Sequence, residues 1–412
     1  MSTDSSGNVI TLIGHSTIKT TMMNVIGKPT ITVAASSEVT KQNKDLEIAL
    51  VLDNTGSMAG TKIATLKTAA SNFVDTLANA TAGSTLPHPV KISVVPYTMT
   101  VNVGAAYQDA SWMSGVMPSE YGADIFSSSG VNRFTLLSQM HTAWQGCVES
   151  RPFPYDTEDT PPSSGATLFV PYFAPDEPDG SGGYVNNYLS DVSADRYKSW
   201  QIRQGDPAKY TRAPRTGTNG VGYQFGPNAG CIAQPLVRLT DSFSTVKAGI
   251  NGMVAGGDTN IAAGVMWGWH TLSPNGPFAD GAAYSDDTTR KIMVLMTDGE
   301  NHNVVTSSPD ASVYGGLGYI WQNRLGITGG SLDDRREALD NRLLAVCANA
   351  KAAGIDIYTI AFNVAPDAPN AHEMMQQCAS SMNNYYDVAN VSDLNDAFQS
   401  IANSIQNLHL SK

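Results

Sequence analysis

The chain has 412 residues, of which 42% are hydrophobic and only 15% are charged, and it carries a formal net charge of −12. This length predicts a main domain with additions, and the hydrophobic content suffices for a packed core. The negative charge argues against nucleic acid and against direct adhesion to anionic lipid, because both require clustered Lys and Arg.

The first part of the chain, residues 1–45, is predicted to be a β-rich segment. Strand-like stretches run from Val9 to Leu12, from Ser16 to Met22 and from Thr30 to Ser36, and a turn is expected at Gly27-Lys28-Pro29. Because so short a sheet is marginally stable alone, we expect it to pack against a later part of the chain.

The main domain is predicted in two pieces, residues 46–98 and 235–412. Its strands are continuous apolar runs rather than alternating ones, which is typical of strands covered on both faces in a parallel sheet. Helical periodicity separates these strands, so the pattern predicts an α/β fold with a doubly wound, mostly parallel sheet. The predicted strands are Glu47–Leu52, Val90–Pro96, Pro235–Thr240, Lys291–Met296, Ile355–Phe362 and Tyr385–Val388. The predicted helices are Thr61–Ala80, Ser242–Met253, Ile261–Leu272, Leu332–Ala353, a helix near Ala371–Ser380, and Ser392–Leu408.

A large insertion, residues 99–234, interrupts the main domain, and a smaller one spans about 303–330. The large insertion is loop-rich and proline-rich, but its aromatic residues are numerous enough for a small core of its own. We therefore predict an ordered subdomain. The alternative is a flexible linker, which is disfavoured because linkers contain few aromatic residues. Within the insertion, the acidic residues Asp176, Glu177 and Asp179 are expected to form a solvated loop or, less favoured, a Ca²⁺ site.

Four cysteines are spaced too widely for a zinc ribbon or a Cys-x-x-Cys redox motif. Cys147 and Cys231 bracket much of the large insertion, whereas Cys347 and Cys378 flank the strand Ile355–Phe362. We predict disulfides Cys147–Cys231 and Cys347–Cys378, each stabilising the fold by roughly 3–4 kcal/mol. Disulfides imply an oxidising compartment, periplasmic or extracellular. The alternative is four buried free thiols.

Oxygen-bearing side chains follow the predicted strand ends. Asp53, Thr55 and Ser57 occupy alternate positions after one strand, Asp298 follows another, and Thr259 precedes a helix. Ligands bind outside the carboxyl ends of strands in open α/β sheets, so these five residues are predicted to converge. Oxygen ligands suit a hard divalent cation, with Mg²⁺ favoured and Mn²⁺ or Ca²⁺ possible alternatives. Taken alone, the first cluster is equally consistent with a capped turn.

These motifs resemble the von Willebrand factor A (VWA) domain and its metal-ion-dependent adhesion site (MIDAS). The resemblance rests on Asp53-x-Thr55-x-Ser57, then Thr259-Asn260-Ile261, then Thr297-Asp298-Gly299, in that order. It implies hydroxyl ligation by Ser57, Thr55 and Thr259, and ligation by Asp53 and Asp298 partly through water. One coordination position would remain for a partner's carboxylate. Thr55 replaces the family's usual serine and keeps the hydroxyl.

A second resemblance covers most of the chain. Trp144-Gln145-Gly146-Cys147, Pro154-Tyr155-Asp156-Thr157 and Met266-Trp267-Gly268-Trp269 are similar to strings in bacterial TadG-type proteins. These accompany the tight-adherence (Flp) pilus machinery, so the resemblance implies a cell envelope location. Such proteins usually begin with a membrane-spanning helix, whereas no apolar run here approaches the ~20 residues required. We expect any membrane attachment to use a segment absent from this chain.

Other chemistries find little support in the sequence. The segment from Gly56 to Lys62 has too few residues between its glycines for a phosphate-binding loop, and the seven histidines do not fall at zinc-ligand spacing. Nothing nominates a general base beside Asp53 and Asp298. Glu300 is expected to be a neighbour of the metal ligands or a solvated residue.

The favoured hypothesis is a non-catalytic, metal-dependent binding module of the bacterial cell envelope, associated with Flp/Tad pilus assembly. It would capture an exposed acidic residue of a protein partner, such as a pilus or surface component, through the divalent cation. One alternative is a structural or anchoring role in pilus assembly in which the metal only stabilises loops. A metal-dependent hydrolase is the outside alternative.

Overall fold

The computed structural model describes residues 2–3, 9–19, 30–40, 44–81, 88–121, 124–365 and 368–410. The strands are β1 (Ser2–Thr3), β2 (Val9–Lys19), β3 (Thr30–Thr40), β4 (Asp45–Asp53), β5 (Val90–Tyr97), β6 (Val101–Asn102), β7 (Cys147–Val148), β8 (Val237–Thr240), β9 (Thr289–Thr297), β10 (Asp356–Phe362) and β11 (Tyr385–Val388). The helices are α1 (Thr61–Thr81), α2 (Arg133–Gln139), α3 (Trp200–Gly205), α4 (Phe243–Gly252), α5 (Ile261–Leu272), α6 (Leu332–Ala352), α7 (Pro369–Cys378) and α8 (Leu394–Leu410). In this described part of the chain, no helix combines the length and apolarity needed to cross a membrane.

The central sheet has the strand order β11-β10-β9-β4-β5-β6-β7, and β8 also pairs with β5. The five strands from β11 to β5 run parallel, whereas β6, β7 and β8 pair antiparallel. The mixed α/β architecture with a mostly parallel sheet is therefore the predicted one, and the predicted main-domain strands and helices all form, with bounds that shift by a few residues.

Helices cover both faces of this sheet. Along β4, Ile48 and Leu50 belong to a buried cluster that includes residues of α1, α4 and α8, whereas Ala49 and Val51 belong to a second cluster that includes residues of α5, α6 and α7. Successive strand residues point to opposite faces, so a strand buried on both faces must be apolar at every position. This requirement explains the continuous apolar runs in the sequence.

The large insertion divides its aromatic residues between two cores. Trp112 and Phe169 pack against Trp267 of α5, with ring centroids 6.5 and 4.8 Å away respectively, inside the main-domain core. Other insertion residues, such as Tyr172, form a cluster with Tyr314 of the smaller insertion. The separate core predicted for the insertion is therefore only partly correct, because flat aromatic faces of the insertion also cover α5.

A buried ion network links the two insertions. Glu149 accepts hydrogen bonds from Arg133 and from the hydroxyl of Tyr314, and its other oxygen lies 2.6 Å from a guanidinium nitrogen of Arg324. All four side chains are buried. A buried carboxylate of this kind is stable only when paired and fully hydrogen-bonded, so the network fixes the smaller insertion against the larger one.

The acidic segment of the insertion is buried rather than solvated. Asp176 forms an ion pair of 2.7 Å with Lys209, and both side chains are inaccessible to solvent. Glu177 accepts backbone hydrogen bonds from Val185 and Asn186. The expectation of a solvated loop is therefore wrong for Asp176 and Glu177, since both carboxylates organise the surrounding loops.

The N-terminal strands form a separate three-stranded antiparallel sheet in the order β1-β2-β3. Large apolar side chains on β2 and β3 are exposed, among them Leu12, Ile18 and Val33. The expectation that this segment packs against a later part of the chain is therefore wrong for these side chains. The predicted turn at residues 27–29 lies outside the described residues.

The two disulfides join the predicted pairs of cysteines. Cys147 is bonded to Cys231 across 84 residues, and Cys347 to Cys378 across 31 residues. The first bond ties β7 to the end of the insertion, and the second ties α6 to α7. No free cysteine occurs among the described residues.

We expect each double Cys→Ser variant to lose roughly 3–4 kcal/mol of unfolding free energy, because the unfolded chain regains the freedom that the bond removed. The loss should be larger for Cys147→Ser/Cys231→Ser, whose loop is longer. Urea unfolding measures both losses. Alkylation of the unreduced, unfolded wild-type chain followed by mass analysis is the control, and four alkylated thiols would contradict the assignment.

Candidate metal centre

The candidate site lies at the carboxyl edge of the central sheet, where β4 and β9 end side by side. These two strands pair in parallel with Leu52 opposite Met296, so Asp53 and Asp298 emerge at the same edge. A 3₁₀ turn, Gly56–Met58, then connects β4 to α1. Two strands distant in sequence are thus positioned by ladder hydrogen bonds to present two carboxylates together.

A third loop, the glycine turn Gly256-Gly257, is hydrogen-bonded directly to the first. The amide of Gly56 donates to the carbonyl of Gly257 over 3.0 Å, and the amide of Gly256 donates to the carbonyl of Asn54 over 2.8 Å. A Cβ on Gly56 would lie 3.4 Å from the Gly257 carbonyl oxygen, in ordinary van der Waals contact, so the two loops lie side by side. The turn carries Thr259 to the edge where Asp53 and Asp298 lie.

The hydroxyl groups of the first motif form a short chain with one carboxylate. Thr55 Oγ1 lies 3.0 Å from Ser57 Oγ, and Ser57 Oγ donates to Asp298 Oδ1 over 2.6 Å. Thr259 lines the same cavity as Thr55 and Ser57, which has a volume of about 320 Å³. Residues from all three predicted motifs therefore meet at one place.

Asp53 lies beneath this cavity and is completely buried. Its Oδ1 accepts the amide of Thr55 over 2.8 Å, and its Oδ2 accepts the hydroxyl of Thr297 over 2.7 Å. Burial, and then the negative charge of Asp298, raise the pKa of Asp53 to about 6. Two neighbouring carboxylates in a buried site of low dielectric constant repel each other, so positive charge nearby would stabilise them.

Lys62 supplies positive charge next to one of these carboxylates. It was not identified as a residue of the site from the sequence. Its Nζ lies 2.7 Å from Asp298 Oδ2, and the side chain of Asp298 is fully buried while that of Lys62 is 23% exposed. A cation in the first turn of a helix is electrostatically unfavourable, because the helix N-terminus is itself positive. A lysine at this position of α1 was therefore a signal that a nearby anion exists.

The outer rim of the cavity comes from the segment after β9. The amide of His302 donates to the carbonyl of Thr259 over 2.9 Å, and His302 Nδ1 lies 3.2 Å from Asp258 Oδ1. This contact with Asp258 raises the pKa of His302. Glu300, expected to be either a neighbour of the ligands or solvated, is paired with Arg336 at 2.9 Å on the same rim.

The start of α5 is fixed by two asparagines, which hold Thr259 in place. Asn260 accepts the amide of Ala263 over 3.1 Å as the N-cap residue, and Asn301 accepts the amide of Ile261 over 2.8 Å. Asn301 belongs to the loop after β9, so one side chain joins the second and third motifs. The sequence motif alone gave no indication of this link.

The donor set suits a hard divalent cation. It consists of three hydroxyls and two carboxylates, all oxygen atoms, which is the chemistry preferred by Mg²⁺, Mn²⁺ or Ca²⁺ rather than by a soft metal. Among the described residues, no group of three or more His, Cys, Asp or Glu side chains is placed to hold a metal. The hydroxyls of Thr55, Ser57 and Thr259 are the further side-chain oxygens that the sequence motifs predict for this edge.

Comparison with known proteins gives structural neighbours of low sequence identity. The pilus adhesin SpaC from Lactobacillus rhamnosus GG is 12% identical over 91% of this chain, which spans 33% of SpaC, with a TM-score of 0.41. The vWF domain of the type V pili tip protein Mfa5 from Porphyromonas gingivalis is 11% identical over 90% of this chain and 97% of that domain, with a TM-score of 0.41. Proximal thread matrix protein 1 from the mussel byssus, with a zinc-occupied MIDAS motif, is 11% identical over 88% of this chain and 48% of its own, with a TM-score of 0.36.

No family model matches the chain, and no curated protein matches it. The chain spans about a third of SpaC. At these identities and TM-scores, the neighbours say nothing about what this chain binds.

We expect Asp53→Asn to stabilise the metal-free chain at neutral pH. Folding raises the pKa of Asp53 from 3.8 to about 6, so the folded chain holds this proton more tightly, and stability falls as the pH rises from about 4 to about 6. Above that window the penalty is on the order of 2–3 kcal/mol, and the neutral amide avoids it. Urea unfolding in EDTA between pH 4 and pH 8 measures the difference.

Asp258→Asn is the control for this experiment, because Asp258 lies on the rim rather than beneath the cavity. Between about pH 4 and about pH 6 the control should keep the wild-type dependence of stability on pH. Above that range it should differ, because Asp258→Asn removes the contact that raises the pKa of His302. If the free energy of unfolding of wild type and that of Asp53→Asn change equally with pH, ionisation of Asp53 does not destabilise the fold.

Proposed function

We propose that this chain is a VWA-type, metal-dependent protein-binding module of the bacterial cell envelope. One observation carries the proposal: Ser57 connects Thr55 to Asp298 by contacts of 3.0 and 2.6 Å, although Asp298 is 241 residues away in the sequence. The fold thus brings oxygen atoms of the first and third motifs within hydrogen-bonding distance of one another. The open cavity beside them gives a ligand access.

In this proposal Thr55, Ser57 and Thr259 hold the cation through their hydroxyls, and Asp53 and Asp298 hold it through carboxylate oxygens or bound water. When bound, the divalent cation supplies positive charge that attracts a carboxylate of the partner. The two carboxylates of the site and Lys62 together carry a formal charge of −1, so a divalent cation leaves the site positive. This local charge explains how a chain with a net charge of −12 attracts an acid.

The envelope location is supported by the two disulfides, which require an oxidising compartment. The association with Flp/Tad pilus assembly rests on the resemblance of the insertion strings, including Trp144–Cys147, to TadG-type proteins. We therefore propose a pilus or surface component with an exposed acidic residue as the partner. Envelope extract passed over the immobilised chain with Mg²⁺ or with EDTA will test this assignment.

We expect Asp53→Ala and Ser57→Ala to weaken binding of Mn²⁺ or Mg²⁺ by more than about tenfold, because each removes an oxygen next to the ion. Isothermal titration with MnCl₂ and MgCl₂ measures this. Asp258→Ala is the matched control, since it removes a carboxylate from the rim without removing a proposed ligand, and it should bind the metal like the wild type. Unchanged affinity in Ser57→Ala would refute the proposed ligand set.

Melting and pull-down experiments distinguish a metal that captures a partner from a metal that only stabilises the loops. If the metal only stabilises loops, EDTA will lower the melting temperature but leave the recovery of the partner in the pull-down unaltered. If the metal captures a carboxylate, both EDTA and Asp53→Ala will remove the partner while the variant remains folded by circular dichroism.

We expect Lys62→Met to tighten Mn²⁺ binding by roughly tenfold. A unit charge separated from a divalent ion by one carboxylate repels it by roughly 1–2 kcal/mol in surroundings close to water. Lys67→Met is the control, because Lys67 lies on the same helix and is distant from the cavity lining. Weaker Mn²⁺ binding in Lys62→Met would instead mean that Lys62 is required to orient Asp298.

A further inference from the structure

The end of the large insertion packs directly on the glycine turn of the metal centre. A Cβ on Gly256 would lie 2.7 Å from Ile232 Cδ1, and a Cβ on Gly257 would lie 3.7 Å from the hydroxyl of Tyr223. Gly257 also has a positive φ of 82°. The insertion is therefore close to the loop that carries Thr259, and the positive φ of Gly257 favours glycine in that loop.

The same part of the insertion lines most of an open surface groove. The groove has a volume of about 1040 Å³, and it is lined mainly by residues of 214–225 and 227–232 together with residues 254–257. Gly257 lines both the groove and the cavity of the metal centre. The two depressions are thus adjoining parts of one surface.

The lining of the groove suits a peptide better than a compact ligand. Thr216, Thr218 and Gln224 are exposed polar residues along it, and Val254 offers an apolar side chain that is 45% exposed. A strand of peptide rises about 3.3 Å per residue and alternates its side chains, so it can meet polar and apolar positions in turn. The volume accommodates several residues of extended chain.

The formal charge of the groove lining indicates which kind of peptide it would bind. Among the described residues that line the groove, Arg215 carries the only formal charge, in a chain whose net charge is −12. Arg215 is exposed, and its guanidinium lies 3.8 Å from the ring centroid of Phe225, which holds it in place. A fixed, unopposed cation at this position favours an acidic ligand.

We propose that this groove binds an extended acidic segment of the protein partner, and that Arg215 determines its specificity. The segment lies along residues 214–232, and one of its carboxylates reaches past Gly257 to the cation of the metal centre. This last contact rests on the function proposed above, whereas the groove and Arg215 do not depend on it. The large insertion is then the part of the chain that selects the partner.

The test uses the full chain and two labelled ten-residue peptides, one of alternating Ser and Glu and one of alternating Ser and Gln. Fluorescence anisotropy at low ionic strength with Mg²⁺ should show binding of the Ser–Glu peptide and little binding of the Ser–Gln peptide. Arg215→Glu should weaken binding of the Ser–Glu peptide by about tenfold, because it reverses the only charge in the groove. Thr216→Trp should weaken it comparably by filling the groove.

Two matched controls lie just outside the groove. Arg212→Glu and Thr211→Trp make the same changes at exposed residues that do not line it, and each should stay within about twofold of the wild type. Melting temperatures of all four variants should match the wild type, since these side chains are on the surface. A Ser–Glu peptide that fails to bind wild type, or that binds Arg215→Glu and Thr216→Trp as well as wild type, would overturn the proposal.

Ser57→Ala distinguishes the groove from the metal centre. If it weakens binding of the Ser–Glu peptide as EDTA does, the peptide uses both. If Ser57→Ala and EDTA change nothing while Arg215→Glu still weakens binding, the groove binds acidic peptide and the proposed metal-dependent capture is wrong.

Discussion

The parallel pairing of β4 with β9 brings two buried carboxylates to one edge of the sheet, and the surrounding structure responds to their charge. Among the described residues Asp53 has no cationic partner, and burial and the charge of Asp298 raise its pKa to about 6. Asp298 is paired with Lys62 and hydrogen-bonded by Ser57. Such a pair stores electrostatic free energy that positive charge relieves. Because burial and the charge of Asp298 disfavour ionised Asp53, we expect this arrangement to lower the stability of the fold at neutral pH. Proteins retain features of that kind where function requires them.

The two insertions are built onto this edge rather than attached at a distance from it. Their mutual position is fixed by the buried network around Glu149, and the larger one contacts the glycine turn through Tyr223 and Ile232. The smaller one follows His302, whose amide is bonded to Thr259. In the proposed function the α/β core supplies the ion site, and the insertions supply the surface on which a partner is recognised. Specificity in such an arrangement resides in loops supported by a rigid scaffold.

Much of the fold and the two carboxylate positions were accessible from the sequence. Continuous apolar runs identified β4 and β9, and acids at their ends identified Asp53 and Asp298, because both-face burial and the strand-end rule operate locally. Lys62 and Asn301 were missed as site residues. Their partners lie 236 and 40 residues away, so only folding brings them together. The acidic loop was misjudged for the same reason, because the cation that accompanies Asp176 into the interior is contributed by Lys209.

The sequence by itself determined the α/β layering, the cysteine pairs and the set of oxygen-bearing residues, because hydrophobic period, spacing and residue chemistry are properties of short segments. Tertiary structure alone decided that the insertion aromatics cover α5, that Lys62 is paired with Asp298, and that the groove beside Arg215 adjoins the candidate metal centre. Those outcomes depend on which surfaces meet across long stretches of chain. Burial and electrostatic pairing depend on how close two residues are in space. The number of residues between them in the sequence does not give that distance.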